Sequence, residues 1–402
     1  MLSPSWSRAV SAVEMAPDDQ PFGLYVHWPY CRSKCPYCDF NSHVTETLSH
    51  DRWCAAYLKA LDEIAPRFAD RQLASIFFGG GTPSLMAPET VAAVIAHARA
   101  LWPETPKEGL EITLEANPTS VEAAKFEAFR DAGVTRVSIG IQALDNTALN
   151  FLGREHSAGE ALGALNIARK NFTRVNADMI YARPDQTVAH WKTELKQLLD
   201  QGLDHLSLYQ LTIERGTPFF GLHRKGAFEL PDDDDAAKLY DATGDMLEAY
   251  GLKTYEISNY AKPGAECRHN LIYWRGLDYA GIGPGAHGRV PGPGGTYATV
   301  EARRPEDWLA RIEDTGAGRS EETLLAPHQR FEELVMMGLR LTDGISEDDL
   351  ARIDTGHFND AFDPVRLERL INGGFVTLEN GRLSASAAGR LRLNAVLAEL
   401  LA

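Results

Sequence analysis

The sequence predicts an α/β protein: a parallel sheet with flanking helices, barrel-like or doubly wound, carrying a small C-terminal winged-helix-like appendage. Three observations predict it. From Phe22 onward, short runs of Val, Ile, Phe, Tyr and Leu alternate with amphipathic stretches. No repeat with a period of ~20 to 50 residues accompanies this alternation, which disfavours a solenoid. The pattern then changes after Leu211 and again at Pro327.

Six runs read as strands: Phe22 to His27, Ala74 to Phe78, Glu111 to Glu115, Arg136 to Ile141, Arg174 to Ile180 and His205 to Leu211. Their near-continuous apolar character suits strands covered on both faces. Between the first two, Trp53, Tyr57, Leu58, Leu61 and Ile64 recur at helical spacing. Val91, Val94, Ile95, Ala98 and Leu101 do so after Pro88, which suits a first helical turn. Past Leu211, a helix is expected from Asp233 to Tyr250, with the run Asp232 to Asp235 as its cap and dipole partner, followed by a short strand near Lys253 to Ile257. Gly281 to Gly295 reads as a Gly/Pro-rich loop. From Pro327, helices lead into a hairpin around Asn380-Gly381 and a last helix, the order of a winged helix. The expected divisions are a flexible tail (1–20), the barrel (21–260), a connecting region (261–326) and the terminal module (327–402).

Composition narrows the function. The 402 residues are 44% hydrophobic and 24% charged, an ordinary globular balance. Forty Lys and Arg against 56 Asp and Glu leave a net charge of −16, which disfavours nucleic acid as a partner. The terminal module is no exception, with 8 Arg and no Lys against 12 acidic residues. The first 20 residues lack a basic start followed by an apolar block, and no long apolar run occurs, so the expected location is cytoplasmic.

Three of five cysteines, Cys31, Cys35 and Cys38, fall within eight residues in the loop after the first strand. Neighbours this close would strain a disulfide framework, so metal chemistry is the better reading. Three thiolates can hold three corners of an iron–sulfur cube and leave one iron open. A structural zinc site would need a fourth ligand, which Cys54, Cys267 or His43 could supply. Placement favours the cluster, because loops at strand C-terminal ends carry chemistry in βα barrels.

The CxxxCxxC motif is followed by Phe77-Phe78-Gly79-Gly80-Gly81-Thr82-Pro83-Ser84, Glu115-Ala116-Asn117-Pro118 and Ser138-Ile139-Gly140-Ile141-Gln142. In that order these motifs resemble the radical S-adenosylmethionine (SAM) superfamily, in the branch of coproporphyrinogen oxidases and their heme-carrying relatives. The resemblance runs from Phe22 to the C-terminus. It implies a partial (βα)6 TIM-type barrel, a 4Fe–4S cluster on Cys31, Cys35 and Cys38, and SAM on the open iron. It further implies that Gly80, Gly81 and Thr82 border the methionyl part of SAM, with Tyr25, Glu115, Gln142, Arg154 and Asp178 as polar contacts. Gly281 to His287 resembles the loop beside adenosine. The strand end Ile180-Tyr181-Ala182-Arg183-Pro184 departs from the family's Gly-Leu-Pro, and Arg183 is expected to bring a charge to the barrel mouth.

Two functions share this scaffold: oxygen-independent coproporphyrinogen III oxidase, and a heme chaperone that delivers heme to acceptor hemoproteins. The oxidase has a cysteine two residues past the last cluster ligand and a longer N-terminal segment. Here that position is Phe40, and about 20 residues precede Phe22. His269-Asn270-Leu271-Ile272-Tyr273-Trp274 matches the HNxxYW motif of the heme-chaperone branch. His269 is thereby expected as an axial heme ligand, Tyr273 and Trp274 as flat contacts, and Arg268 and Arg275 as propionate partners. The expected cofactors are thus a 4Fe–4S cluster, SAM and heme. The expected partners are acceptor hemoproteins, membrane-associated ones and a second copy of the chain included.

Overall fold

The computed structural model describes residues 20–45, 48–106, 109–353 and 355–402. The expected N-terminal tail falls almost wholly outside them. The six predicted strands are present: β1 (Pro21–Trp28), β2 (Gln72–Gly80), β3 (Glu111–Ala116), β4 (Arg136–Gln142), β5 (Arg174–Tyr181) and β6 (His205–Gln210). They pair in sequence order and in parallel. Each strand after β1 is reached through helical crossover segments, among them α1 (His50–Ile64), α2 (Pro88–Leu101), α3 (Ala158–Asn171) and α4 (Val188–Leu199). The helices follow from local signals. Pro88 occupies the first turn of α2, and Ser157 with Glu160 closes a capping box on α3. Trp53, Tyr57, Leu61 and Ile64 form the buried stripe of α1.

Helix α5 (Asp233–Ala249) begins at Asp232, whose carboxylate accepts from the Asp235 amide at 2.8 Å, so the acidic run is a cap as its position suggested. A short antiparallel strand, β7 (Asn259–Ala261), then covers the free edge of β6.

The connecting region differs from the expectation. Helix α6 (Arg268–Trp274) carries the HNxxYW motif, with Cys267 at its N-cap. It leads into β8 (Tyr279–Ile282), which pairs in parallel with β1 on the edge opposite β2. The sheet therefore has seven parallel strands where the sequence suggested six. The hairpin β9 (His287–Gly292) and β10 (Gly295–Glu301), with β11 (Arg319–Leu324), extends it antiparallel. Glycine and proline made this stretch look like loop. In the structure the glycines admit close neighbours: a Cβ on Gly283 would lie 2.3 Å from the His27 carbonyl oxygen. The order β11-β10-β9-β8-β1-β2-β3-β4-β5-β6-β7, with the expected short strand at Lys253–Thr254 paired beyond β7, does not close on itself, so the barrel is open.

The terminal module has its own core, built around Leu334, Val335, Leu339, Ile345, Leu350, Leu367 and Val396. Its hairpin, Val376–Glu379 with Arg382–Ala385, is joined by Ile345–Ser346 as a third strand, the wing of a winged-helix-like unit. It docks on the barrel through polar contacts to the turn after α6. Arg330 donates to the Gly276 carbonyl at 3.0 Å, Arg352 to that of Arg275 at 2.5 Å, and Arg289 of β9 pairs with Glu333 at 2.6 Å.

Candidate functional site

The strands β1 to β6 all end at one cavity of about 1,090 Å³, the position expected of chemistry in a βα barrel. Cys31, Cys35 and Cys38 line it together with Gly80, Gly81, Thr82, Glu115, Gln142, Arg154 and Asp178. The structure thus brings together every predicted cluster and SAM residue except Tyr25. That side chain sits on β1 with its hydroxyl 3.0 Å from His27 Nδ1 and its ring stacked on Phe77, away from the cavity lining.

The cysteine loop is held by the glycine turn that follows β2. The Gly81 and Thr82 amides donate to the carbonyls of Trp28 and Tyr30 at 2.7 and 2.8 Å. A Cβ on Gly81 would lie 2.6 Å from the Tyr30 carbonyl oxygen, and Gly80 adopts φ +110°. Glycine is required here so that two backbones can meet, apart from any ligand. Thr82 Oγ1 donates to Cys31 Sγ at 3.4 Å and Arg154 Nη1 to Cys35 Sγ at 3.3 Å. Sulfur atoms that accept from a hydroxyl and a guanidinium are suited to the thiolate form that an iron–sulfur cluster needs. Burial still raises the Cys31 and Cys38 thiols above their ordinary range, with Thr82 and Arg154 offsetting it in part at Cys31 and Lys34 at Cys38.

The donor set fits a cluster better than a single zinc ion. Among the described residues no three His, Cys, Asp or Glu side chains converge as ligands of one metal ion. Of the fourth ligands considered, Cys54 lies on α1, and Cys267 is fully buried against Glu111 with its thiol pushed up to about 12 by that burial. None of the three, His43 included, lines the cavity.

The carboxylates facing the cavity are poised by their surroundings. Burial, reinforced by Asp178, raises Glu115 to about 8, while its Oε2 accepts from the Gly80 amide at 3.3 Å. Asp178 is itself raised by burial and accepts from Ser138 Oγ at 3.0 Å and Asn176 Nδ2 at 2.7 Å. Such a pair can take up hydrogens from a ligand's hydroxyl and amine groups. Gln142 reaches the cavity because β4 is irregular at its end: the register with β5 slips after Ile139 and Gln142 has φ 68°. Arg154 also donates to the Gly140 carbonyl at 3.1 Å and to Asn117 Oδ1.

One expectation needs correction. Arg183 does not charge the barrel mouth: it is 4% exposed and paired with Glu194, which is 3% exposed and also accepts from the Leu144 amide. Gly281 to His287 packs on the residues that follow the cluster cysteines. Asn41 Nδ2 donates to the Pro284 carbonyl at 2.9 Å, and Gly285 packs on the same side chain.

The HNxxYW residues also lie apart from the cavity lining. His269 is 1% exposed, and both ring nitrogens are engaged, Nδ1 with Ser75 Oγ at 2.8 Å and Nε2 with the Tyr273 hydroxyl at 2.7 Å. Its ring stacks on Phe77, and burial lowers its pKa to about 3. In this arrangement it offers no nitrogen to an iron, contrary to the axial-ligand expectation. Arg268 binds the Gly109 carbonyl at 2.6 Å. Trp274 faces the terminal module, with Arg340 over its ring.

Sequence reasoning missed several cavity residues. Asn117, Glu122 and Ser138 fall in or beside recognised motifs and position others: Glu122 accepts from the Asn117 amide at 2.8 Å and from Ser84. Tyr209, Tyr240, Ile257, Arg390, Leu391 and Arg392 also line the cavity and carry no local signal.

Comparison with known proteins agrees with this geometry. Residues 25–198 match the model of the radical SAM superfamily and residues 325–392 that of the HemN C-terminal domain. The chain is 37% identical to the heme chaperone HemW of Escherichia coli, across 95% of this chain and 98% of that one. It is 38% identical to the mitochondrial radical S-adenosyl methionine domain-containing protein 1 of Danio rerio, across 94% of this chain and 86% of the relative. The solved coproporphyrinogen III oxidase HemN of Escherichia coli superposes with a TM-score of 0.78 over 95% of this chain and 90% of the other, at 22% identity, a likeness of fold.

Proposed function

Because the chain belongs to the HemW family of heme chaperones within the radical SAM superfamily, we propose that it binds heme beside a SAM-ligated 4Fe–4S cluster and passes the heme to acceptor hemoproteins. The observation that carries this reading is one cavity lined both by the three cysteines and the glycine turn and by Tyr209, Tyr240, Arg390 and Leu391, which belong to none of the cluster or SAM motifs. A bound cluster with an open iron supplies one-electron chemistry and a seat for the amino and carboxylate groups of SAM.

The chain's own residues have distinct tasks. Cys31, Cys35 and Cys38 hold the cluster, and Thr82 and Arg154 support two of the sulfur atoms. Glu115, Asp178 and Gln142 orient SAM by accepting or donating hydrogen bonds at the strand ends. Phe40, 59% exposed on the cavity rim, stands where the oxidase places an additional cysteine and offers apolar surface without a proton or thiol to give. That substitution favours a carrier over a decarboxylase.

No helix among the described residues is long and apolar enough to cross a membrane. The reading includes a cytoplasmic site of action, transient contact with membrane-associated acceptors, and a homodimer; fractionation, crosslinking and light scattering read these out. The deciding experiment mixes heme-loaded, cluster-reconstituted protein with an apo-hemoprotein under anaerobic conditions. Appearance of the acceptor's holo spectrum supports the carrier. Formation of 5′-deoxyadenosine with a vinyl porphyrinogen product, and no transfer, assigns the oxidase instead.

A further inference from the structure

We propose that Arg390 and Arg392, on the terminal module, bind the propionate carboxylates of the heme, whose macrocycle lies in the outer half of the cavity against Tyr209, Tyr240 and Leu391. The inference rests on the heme-carrier reading above and adds where the cargo sits.

Room comes first. At about 1,090 Å³ the cavity exceeds the ~300–1,000 Å³ usual for one small ligand. One wall holds the cysteine loop, the glycine turn and the polar strand ends. The other is built from the end of β6, the start of α5, and the segment from Arg390 to Arg392. None of the residues assigned to cluster or SAM is among this second group, although Tyr209 lies near enough to Asp178 to feel its charge.

Its chemistry suits a flat dicarboxylate. Tyr209 and Leu391 leave 42% and 41% of their surface exposed, and Tyr240 and Ile257 are half-buried beside them. Large apolar and aromatic groups facing a cavity present the surface on which a macrocycle packs. In a module with 8 Arg and no Lys against 12 acidic residues, two arginines converge at this rim, two positions apart. The Arg390 guanidinium is held by the Ala385 carbonyl at 2.9 Å and lies against Tyr240, whereas Arg392 is exposed and enters no ion pair among the described residues. Arginine forks match carboxylates in a bidentate geometry that lysine cannot reproduce. Asp233 and Asp234, on the first turn of α5, border the same rim and repel a propionate, so the acid edge of the macrocycle turns toward the arginines. The HNxxYW helix has no comparable space, since His269 is enclosed by Ser75, Phe77 and Tyr273.

The test titrates the full, anaerobically reconstituted chain with heme and, separately, with heme dimethyl ester, in which the carboxylates are masked. Arg392→Met is expected to weaken heme binding about tenfold, and the double variant Arg390→Met/Arg392→Met further, with iron, sulfide and melting temperature as in the parent. The ester should bind the parent weakly and respond to neither substitution. Parental heme affinity in the double variant overturns the proposal, as does an equal loss for heme and ester, which would mean lost packing. A parent that binds no heme at all sinks the carrier reading and this site with it. A parent that binds heme while the arginine variants match it sinks only the propionate assignment.

Discussion

The guanidinium of Arg340 stacks over the indole of Trp274 at 4.7 Å, joining the terminal module to the last residue of the HNxxYW helix. Arg340 also lies 3.7 Å from Glu256, which is 1% exposed and accepts from the Ser258 amide at 3.0 Å. The motif helix is therefore packed on two sides, with His269 and Tyr273 turned into the barrel and Trp274 into the module. Trp274→Ala is expected to cost about 3 kcal/mol or more, from a lost cation–π contact and the space left behind. The loss should appear as faster amide exchange across residues 327–402, with the barrel strands unaffected. Equal exchange in parent and variant would show that the module docks without this contact.

Cysteine replacement separates the cluster ligands from the other thiols. Cys35→Ala should leave anaerobically reconstituted protein without its full iron and sulfide, because two thiolates cannot hold the cube that three do. Cys54→Ala and Cys267→Ala should retain parental iron, sulfide and visible absorbance. Retention of the cluster in the Cys35 variant would contradict the ligand assignment.

Gly81→Ala tests the turn that holds the cysteine loop. The added methyl would meet the Tyr30 carbonyl at 2.6 Å, so the loop must shift before the chain can close over it. Reduced cluster content after reconstitution is expected, together with a melting temperature lowered by several degrees, since ~1 kcal/mol shifts a domain of this size by about 2–4 °C. A control at Gly163, on the exposed side of α3, meets nothing within 4 Å and should tolerate alanine.

Buried histidines set the acid limit of stability. His269 has a folded pKa of about 3, and burial also lowers His156 and His27 to about 4 each. For a base held neutral in the fold, the unfolded chain binds the extra proton below its own value near 6.5. The histidine contribution is thus complete above about pH 6.5 and falls as pH drops toward the folded values, by up to ~1.4 kcal/mol per pH unit for each such group, while Glu115 and Glu301, raised by burial to about 8 and 7, act in the opposite direction and gain stability as pH falls. Urea unfolding at pH 7.5 and 5 reads this directly. His269→Gln, which keeps hydrogen-bonding capacity without the titration, should flatten the slope. An unchanged slope would mean that the imidazole is not enclosed as described.

Much of the fold was legible because each parallel strand carries its own apolar run and each helix its own cap. Pro88, Ser157 with Glu160, and Asp232 all act where their local chemistry places them. The strand β8 was not legible, since Tyr279–Ile282 is short and glycine-bearing, and becomes a strand only by pairing with β1. The cysteine and glycine motifs announced the inner wall of the cavity, since their function demands fixed spacing. The outer wall did not, because Tyr209, Tyr240 and Arg390 meet only when the terminal module folds back on the barrel. Arg183 misled for a related reason: its partner Glu194 lies eleven residues on, in the middle of α4, and no local signal pairs the two.

Heme titration of the anaerobically reconstituted chain, followed through the Soret band, tests the central claim most directly. A saturable, stoichiometric Soret band that leaves the cluster intact, and that an apo-hemoprotein then removes, is the result predicted for a heme carrier. Absence of saturable binding, with coproporphyrinogen decarboxylated and 5′-deoxyadenosine released, would contradict it.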